Sequence, residues 1–307
     1  MRVAIIGRTK ALLDAAQVVV AAGHVVPVVW TCRAEGHYGT TEQDYARFAE
    51  SVKADFVNEV AISRQSNVDR LRAYRCDAAI SVNWLTVLNQ HVLDVFPFGV
   101  LNAHAGDLPR YRGNACPNWA ILAGEAFVGL CIHKMAVELD AGPVLIREKF
   151  PLEPTTYISD IVHWMDSRIP VLFSQALTMI ESGTAKFEAQ PTDPGLALRC
   201  YPRRPEDSRI DWNWPVDRVL RMIRASSHPY AGAFTFLEKE TPVIIWRAEV
   251  EDVAYDFFAI PGQVCFVKDG HPVIACGDGM IALTEVTIDG VPDAKARIAK
   301  SLRSRLT

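Results

Sequence analysis

Apolar positions in the first 185 residues alternate between short β-branched runs and longer stretches with helical spacing. The run "RVAIIG" stops at Gly7 and leads into "KALLDAAQVVVAAG", after which a second run, "VVPVVWT", begins. Strand, helix and strand in that order predict the first βαβ unit of a parallel sheet. The segment "GHYGTTEQDYARFAESVKAD" predicts a loop entering a helix. "VDRLRAYRCD" then precedes the strand "AAISVNW", and "VLNQHVLDVFP" precedes the strand "GVLNAH". Next come the helical "CPNWAILAGE", the strands "VGLCIHKMA" and "GPVLIREKFPL", and a long amphipathic helix, "ISDIVHWMDSRIPVLFSQALTMIESG". The alternation predicts an α/β, Rossmann-like open sheet, parallel or mixed, over residues 1–185.

Pro and Gly cluster in "EAQPTDPGLALRCYPRRPEDSRIDW", which predicts a linker over 186–208. After one helix, "PVDRVLRMIRASS", the texture changes to short strands separated by turns: "GAFTFLE", "PVIIWRAEV", "GQVCFV", "HPVIAC" and "MIALTEVTI". Strands at that spacing predict a small C-terminal β-barrel of the oligonucleotide-binding (OB-like) type over 209–307. The tail "DAKARIAKSLRSRLT" is expected as a solvated closing helix. Barrel shape alone says nothing about a partner.

Half of the residues are hydrophobic and 22% are charged, with a net charge of −4, as expected of a globular protein. There is no overall basic field to draw the chain to nucleic acid or anionic lipid. From Arg199 onward, 15 Lys/Arg meet 15 Asp/Glu, so a nucleic-acid-binding barrel is not expected. No apolar run approaches the roughly 20 residues of a membrane span, and the N-terminus lacks a signal-peptide pattern. Seven scattered cysteines without a CxxC pair argue against disulfides and zinc; no metal is expected, and the expected compartment is cytoplasmic.

The candidate chemistry lies in "LNAHAGDLPRYRGNACPNWAI". Asn102 and His104 are two apart on a strand and so share a face. An amide and an imidazole together can polarise a carbonyl and move a proton, given a third group to orient the ring. Asp140, in "VELDAGPVL", is the candidate, since a carboxylate beside the ring favours the imidazolium. On spacing alone this trio competes with other pairings, Asp140 as a turn cap and Asn102 as a strand-end ligand of the backbone among them. The loop after the first strand, Gly7-Arg8-Thr9-Lys10, has no GxGxxG and so gives no support for a dinucleotide. Arg8 and Lys10 could hold a phosphate there or simply be solvated.

"NAHAGDLPRYRG", then Trp119, then "HKMAVELDAGPVL" resembles the folate-dependent formyltransferases. Their pattern Asn-x-His-x-Ser-Leu-Leu-Pro-x-x-Arg-Gly is followed by an Asp 36 residues after the His, the separation of His104 and Asp140. "PRRPEDSRIDWNWPVDRVLRMIRA" and "YAGAFTF" resemble the family's C-terminal barrel. The resemblance covers nearly the whole chain, with two departures. Gly106-Asp107 replaces Ser-Leu, and Asn114 stands where a related sugar formyltransferase has Arg.

The resemblance implies formyl transfer from N10-formyltetrahydrofolate, as co-substrate, to a primary amine. Asn102 would donate to the oxyanion, His104 would move the proton, and Asp140 would hold His104. Folate contacts would come from Thr86, Val87 and Leu88, from Asn114, and from the run Ala136, Val137, Glu138, Leu139 and Asp140. His133 also matches a family position and is expected to be structural or to support the site.

Acceptors in this family are initiator methionyl-tRNA, an amino sugar on a nucleotide, and water. The tRNA enzymes carry a Gly-Arg-Gly-Lys-like loop after the second strand. Here "TCRAEGHYGTTEQDY" offers only Arg33 before Glu42, which argues against tRNA. The hydrolase implies a fused dehydrogenase part that is absent, and a non-catalytic folate binder would not need the three residues together. The expectation is therefore a nucleotide-linked amino sugar, of the 4-amino-4-deoxy type, destined for surface polysaccharide such as lipopolysaccharide. Arg8, Lys10, Arg110 and Arg112 are candidates for its diphosphate, and relatives of this kind imply a homodimer.

Overall fold

A computed structural model describes all residues, Met1–Thr307. Backbone contacts divide the chain into two units. The first comprises residues 1–116, 127–151 and 162–201, and the second 117–126, 152–161 and 202–307.

In the first unit, β1 (Val3–Gly7), α1 (Lys10–Ala21), β2 (Val28–Thr31), α2 (Glu42–Ser51), β3 (Asp55–Asn58), α3 (Gln65–Ala73), β4 (Ala78–Val82), α4 (Gln90–Leu93) and β5 (Val100–His104) follow in turn. The chain continues with β6 (Arg112–Gly113), then α5 (Cys116–Ala123), which falls in the second unit apart from Cys116, then β7 (Phe127–Lys134), β8 (Val144–Pro151), α6 (Ile158–Glu181), whose first turn also falls in the second unit, and β9 (Arg199–Cys200). Seven strands form one mixed sheet in the order β3-β2-β1-β4-β5-β7-β8. The first five are mutually parallel, whereas β7 is antiparallel to both β5 and β8. β6 and β9 pair in parallel beside it.

Every residue of β1, β4 and β5 is buried, because helices cover both faces of the sheet. On one face, Val3, Ile5, Ile80, Leu101 and Ile132 pack with Leu12, Tyr45, Phe173 and Leu177. On the other, Ala4, Ile6, Ala79 and Val100 pack with Val68, Leu71, Leu88, Val92 and Phe96. Helix starts follow local chemistry. The Thr9 hydroxyl accepts the Leu12 N–H at 3.3 Å, and Thr41 with Asp44 forms a reciprocal capping box at the start of α2. The sequence pattern misses β3, since Val57 is its only fully buried residue and half-buried Phe56 packs on the opposite core layer, so four residues leave no one-faced alternation to read.

In the second unit, α7 (Val216–Ser226) precedes β10 (Ala233–Leu237), β11 (Thr241–Val250), β12 (Val264–Lys268), β13 (His271–Ala275) and β14 (Met280–Ile288), with β15 (Val291–Pro292) and α8 (Lys295–Ile298) at the end. The strands form an antiparallel sheet in the order β10-β11-β14-β13-β12, β15 adding to β14. Trp212, Val219, Ile223, Ile245, Val264, Ile281 and Leu283 fill its core. The expected closing helix is only the four residues of α8. Beyond it the tail runs extended: Leu306 bridges to Leu237, and Arg305 to Gln263. It thus pairs with both outer strands of the sheet, β10 and the run into β12, and edge hydrogen bonds with a buried Leu306 outweigh the helical pattern.

No helix is long and apolar enough to cross a membrane. Leu306 is 1% exposed, so Leu306→Ala should lower the unfolding free energy by about 2–4 kcal/mol. Urea denaturation followed by tryptophan fluorescence measures the loss; an unchanged midpoint would mean that the tail does not hold the sheet edges.

Candidate active site

The register of four strands builds one row of side chains. Ile6 of β1 pairs with Ser81 of β4, Ser81 with Asn102 of β5, and Asn102 with His133 of β7. Residues in register on neighbouring strands share a face, and His104, two along, shares it too. Asn102 is 8% exposed, His104 7% and His133 1%.

His133 fixes the amide of Asn102. Its Nδ1 faces the Lys134 carbonyl at 3.2 Å and so carries the proton. Its Nε2 is then an acceptor and takes one N–H of Asn102 Nδ2 at 3.1 Å. The other N–H of that amide remains for a ligand. Burial, then the neighbouring His104, push the His133 pKa down to about 4, and Asp140 only partly opposes them, so the ring is neutral at neutral pH.

His104 donates from Nε2 to the Tyr111 carbonyl at 2.6 Å, while its Nδ1 lies 3.6 Å from Asp140 Oδ2. Asp140 reaches in from the loop between β7 and β8. Its Oδ2 accepts the Gly113 N–H at 2.8 Å, and its Oδ1 is 3.7 Å from His133 Nε2. Tyr111, Ala115 and Asp140 all adopt positive φ, at 61°, 52° and 52°. Such non-glycine conformations cost of order 1–3 kcal/mol each and persist where surrounding contacts over-determine them. The Gly106 departure has a steric reason. A Cβ there would lie 2.4 Å from the Tyr111 oxygen and 2.7 Å from His104 Nε2, so glycine lets that carbonyl reach the ring.

The site therefore brings Asn102, His104 and Asp140 together and adds His133, whose direction the sequence left open. Sequence reasoning missed Gln190, which donates to the Asp140 and Gly142 carbonyls at 2.7 Å each. It lies in the Pro-rich segment expected as linker and carries no local signal. It also missed Ser81, whose hydroxyl is fully buried beside Asn102 without a partner.

Around the row, Thr86 and Val87 are exposed after β4, with Trp84 Nε1 donating to Thr86 Oγ1 at 3.1 Å, whereas the Leu88 side chain belongs to the core. Asn114 is exposed and donates its N–H to the Cys200 carbonyl at 3.1 Å. Ala136 and Leu139 are half-buried, and Val137 and Glu138 exposed.

The four expected phosphate-binding cations are not gathered. Arg8 is buried at the end of β1, two strands from Asn102, and donates to the Asn83 and Arg33 carbonyls at 2.9 Å each while pairing with Glu35. Lys10 pairs with Asp14. Arg110 lies over the Tyr111 ring, and Arg112 binds Gln190 and Glu138. Cys116 lies 3.9 Å from His104 Nε2, but contact with the Cys200 thiol and burial push its thiol pKa up, which disfavours the thiolate. No group of three His, Cys, Asp or Glu stands where it could hold a metal ion.

A buried amide with one uncommitted N–H beside an imidazole and carboxylate can stabilise a developing oxyanion and move a proton, which is acyl-transfer chemistry. Residues 1–175 match the formyl transferase family, and residues 203–301 match its C-terminal domain. The chain belongs to that family and is by class a formyltransferase. It is 27% identical over 293 residues to a methionyl-tRNA formyltransferase of Agathobacter rectalis, covering 94% of this chain and 93% of that one. Its fold is similar to that of an N-formyltransferase from Helicobacter canadensis, solved with folinic acid and dTDP-3-aminofucose, with TM-score 0.65 and 14% identity over 92% of this chain and 98% of that one. It is also similar to HypX from Aquifex aeolicus in complex with tetrahydrofolic acid, with TM-score 0.65 and 20% identity over 93% of this chain, which spans 44% of that longer protein.

Gly106→Ala should cost about 1–3 kcal/mol of stability through the crowding of Tyr111 and His104. A thermal midpoint equal to wild type would show that the loop relaxes freely. His133 gives a pH dependence of known sign. Its folded pKa lies below the unfolded value of 6.5, so the unfolded chain binds the extra proton. Stability is then full above about pH 6.5 and falls as the pH drops towards 4. In His133→Gln, urea unfolding across that window should show a flatter slope.

Proposed function

We propose that this chain transfers the formyl group of N10-formyltetrahydrofolate to the amine of a nucleotide-linked amino sugar, with a 4-amino-4-deoxy sugar in first place, in surface polysaccharide (lipopolysaccharide) assembly. The observation that carries the transfer reading is the Asn102 amide, held by neutral His133 with one N–H to spare beside His104 and Asp140. The neutral amine attacks the formyl carbon and forms the new C–N bond. Asn102 donates to the oxygen as charge develops, an interaction whose loss costs about 3 kcal/mol. His104 takes the proton from the amine and passes one to N10 of the folate as that bond breaks, while Asp140 holds and stabilises the charged ring.

The folate lies against Thr86 and Val87, the backbone at Leu88 and Asn114, and the run Ala136 to Asp140 in this reading. The exposed apolar side chains of Leu85 and Val87 fit a flat heterocycle. Arg8 keeps Nη2 to donate to a diphosphate, and Lys10, Arg110 and Arg112 are the further cations. In the same reading the protein is a cytoplasmic homodimer with domains 1–185 and 209–307 joined by 186–208, the second an OB-like barrel.

Charge supports a sugar acceptor over a polynucleotide. The segment after β2 offers Arg33 but sets Glu35 on Arg8, and the chain from Arg199 onward is neutral. Methionyl-tRNA is the second reading, favoured by the 27% relative. Turnover of N10-formyltetrahydrofolate should appear with one of a panel of nucleotide-linked 3-amino and 4-amino sugars and vanish in His104→Ala. Turnover with methionyl-tRNA alone would overturn the acceptor, turnover without acceptor would point to a hydrolase, and folate binding without turnover to a binder.

A further inference from the structure

Gln190 is 8% exposed and uses all its hydrogen-bonding capacity. Its Nε2 donates to the Asp140 and Gly142 carbonyls at 2.7 Å each, and its Oε1 accepts from Arg112 Nε at 3.2 Å and Nη2 at 2.8 Å. Two carbonyls on one side and a guanidinium on the other allow only this orientation of the amide. The backbone leading to it is pinned to the start of β8 by paired bonds of 2.8 Å between Glu188 and Val144. The residue after Arg112, Gly113, donates its N–H to Asp140 Oδ2 at 2.8 Å. The contacts close a ring: Asp140 backbone, Gln190, Arg112, Gly113, Asp140 carboxylate.

We infer that Gln190 is a positioning residue for Asp140, with Arg112 as its anchor. The inference rests on the reading of Asp140 as the partner of His104. Asp140 holds a φ of 52°, and the sparsely populated backbone aims the carboxylate at both Gly113 and His104. Release of the Asp140 and Gly142 carbonyls would let that backbone relax and swing the carboxylate away from the ring. Arg112 is thereby engaged by Gln190 and Glu138.

Gln190→Glu is the discriminating variant. It keeps an acceptor for Arg112 but turns an oxygen against two carbonyls. Gln190→Met removes the donors without adding charge and serves as the second variant. The expected result is a fall in kcat of about tenfold or more at nearly constant KM for the panel's acceptor. With it, hydrogen exchange of the Gly113 amide should be about tenfold faster, and the melting midpoint should stay within about 2 °C of wild type. Unchanged Gly113 exchange in both variants overturns the inference, whatever the turnover. Collapse of the melting midpoint in both also overturns it, since Gln190 would then hold the fold and not the carboxylate. Asp140→Asn is run beside them. Full turnover there overturns the catalytic reading of Asp140, while the exchange rate still decides whether Gln190 holds it.

Discussion

The pairing of Asn102 with His133 across β5 and β7 is the contact on which the rest of the site depends. A slip of one residue in that antiparallel register would turn Asn102, His104 and His133 into the face packed by Leu12, Tyr45 and Phe173, and bring Leu101 and Ala103 out in their place. Burial on both faces forbids the slip, because polar groups would enter an apolar layer without partners. The reversal of direction at β7 matters equally. An antiparallel neighbour sets His133 opposite Asn102 and lets the loop to β8 turn back with Asp140.

Low exposure then makes the electrostatics consequential. His133 is neutral because it is buried beside His104, and a neutral ring with its proton on Nδ1 is what accepts from the Asn102 amide. His104 has oxygen on both sides, the Tyr111 carbonyl and the Asp140 carboxylate. Those two oxygens arrive on strained loops, Tyr111 and Asp140 both at positive φ, so sheet rigidity and loop strain meet at one imidazole. The Gly106 departure is part of the same arrangement, since a side chain there would close the space that the Tyr111 carbonyl uses.

In the second unit, the antiparallel sheet leaves β10 and β12 as outer strands, and the extended tail pairs with both ends of the path. Basic residues in that tail suggested a solvated helix, but unsatisfied edge groups and a buried Leu306 compete for the same backbone. A strand end that satisfies two edges and buries a leucine is more stabilising than about two and a half further turns of frayed helix.

Order of elements, the turn to short antiparallel strands towards the C-terminus and the trio Asn102, His104 and Asp140 were legible in the sequence. Period-2 and period-3.6 patterns survive in elements with a buried face, and the trio lies in motifs of fixed spacing. β3 was not legible, with only Val57 fully buried and Phe56 half-buried on the opposite face, nor was the direction of His133, because β7 is buried on both faces and its apolar run hides the alternation. Gln190 and the Tyr111 carbonyl were silent because their roles are hydrogen bonds to distant backbone, which leave no local pattern. Residue types and spacing alone named Asn102, His104 and Asp140 as the candidate trio. Which atom of each faces which partner is settled in three dimensions, because strand register and loop closure join groups far apart in the chain, Arg112 and Gln190 among them at 78 residues.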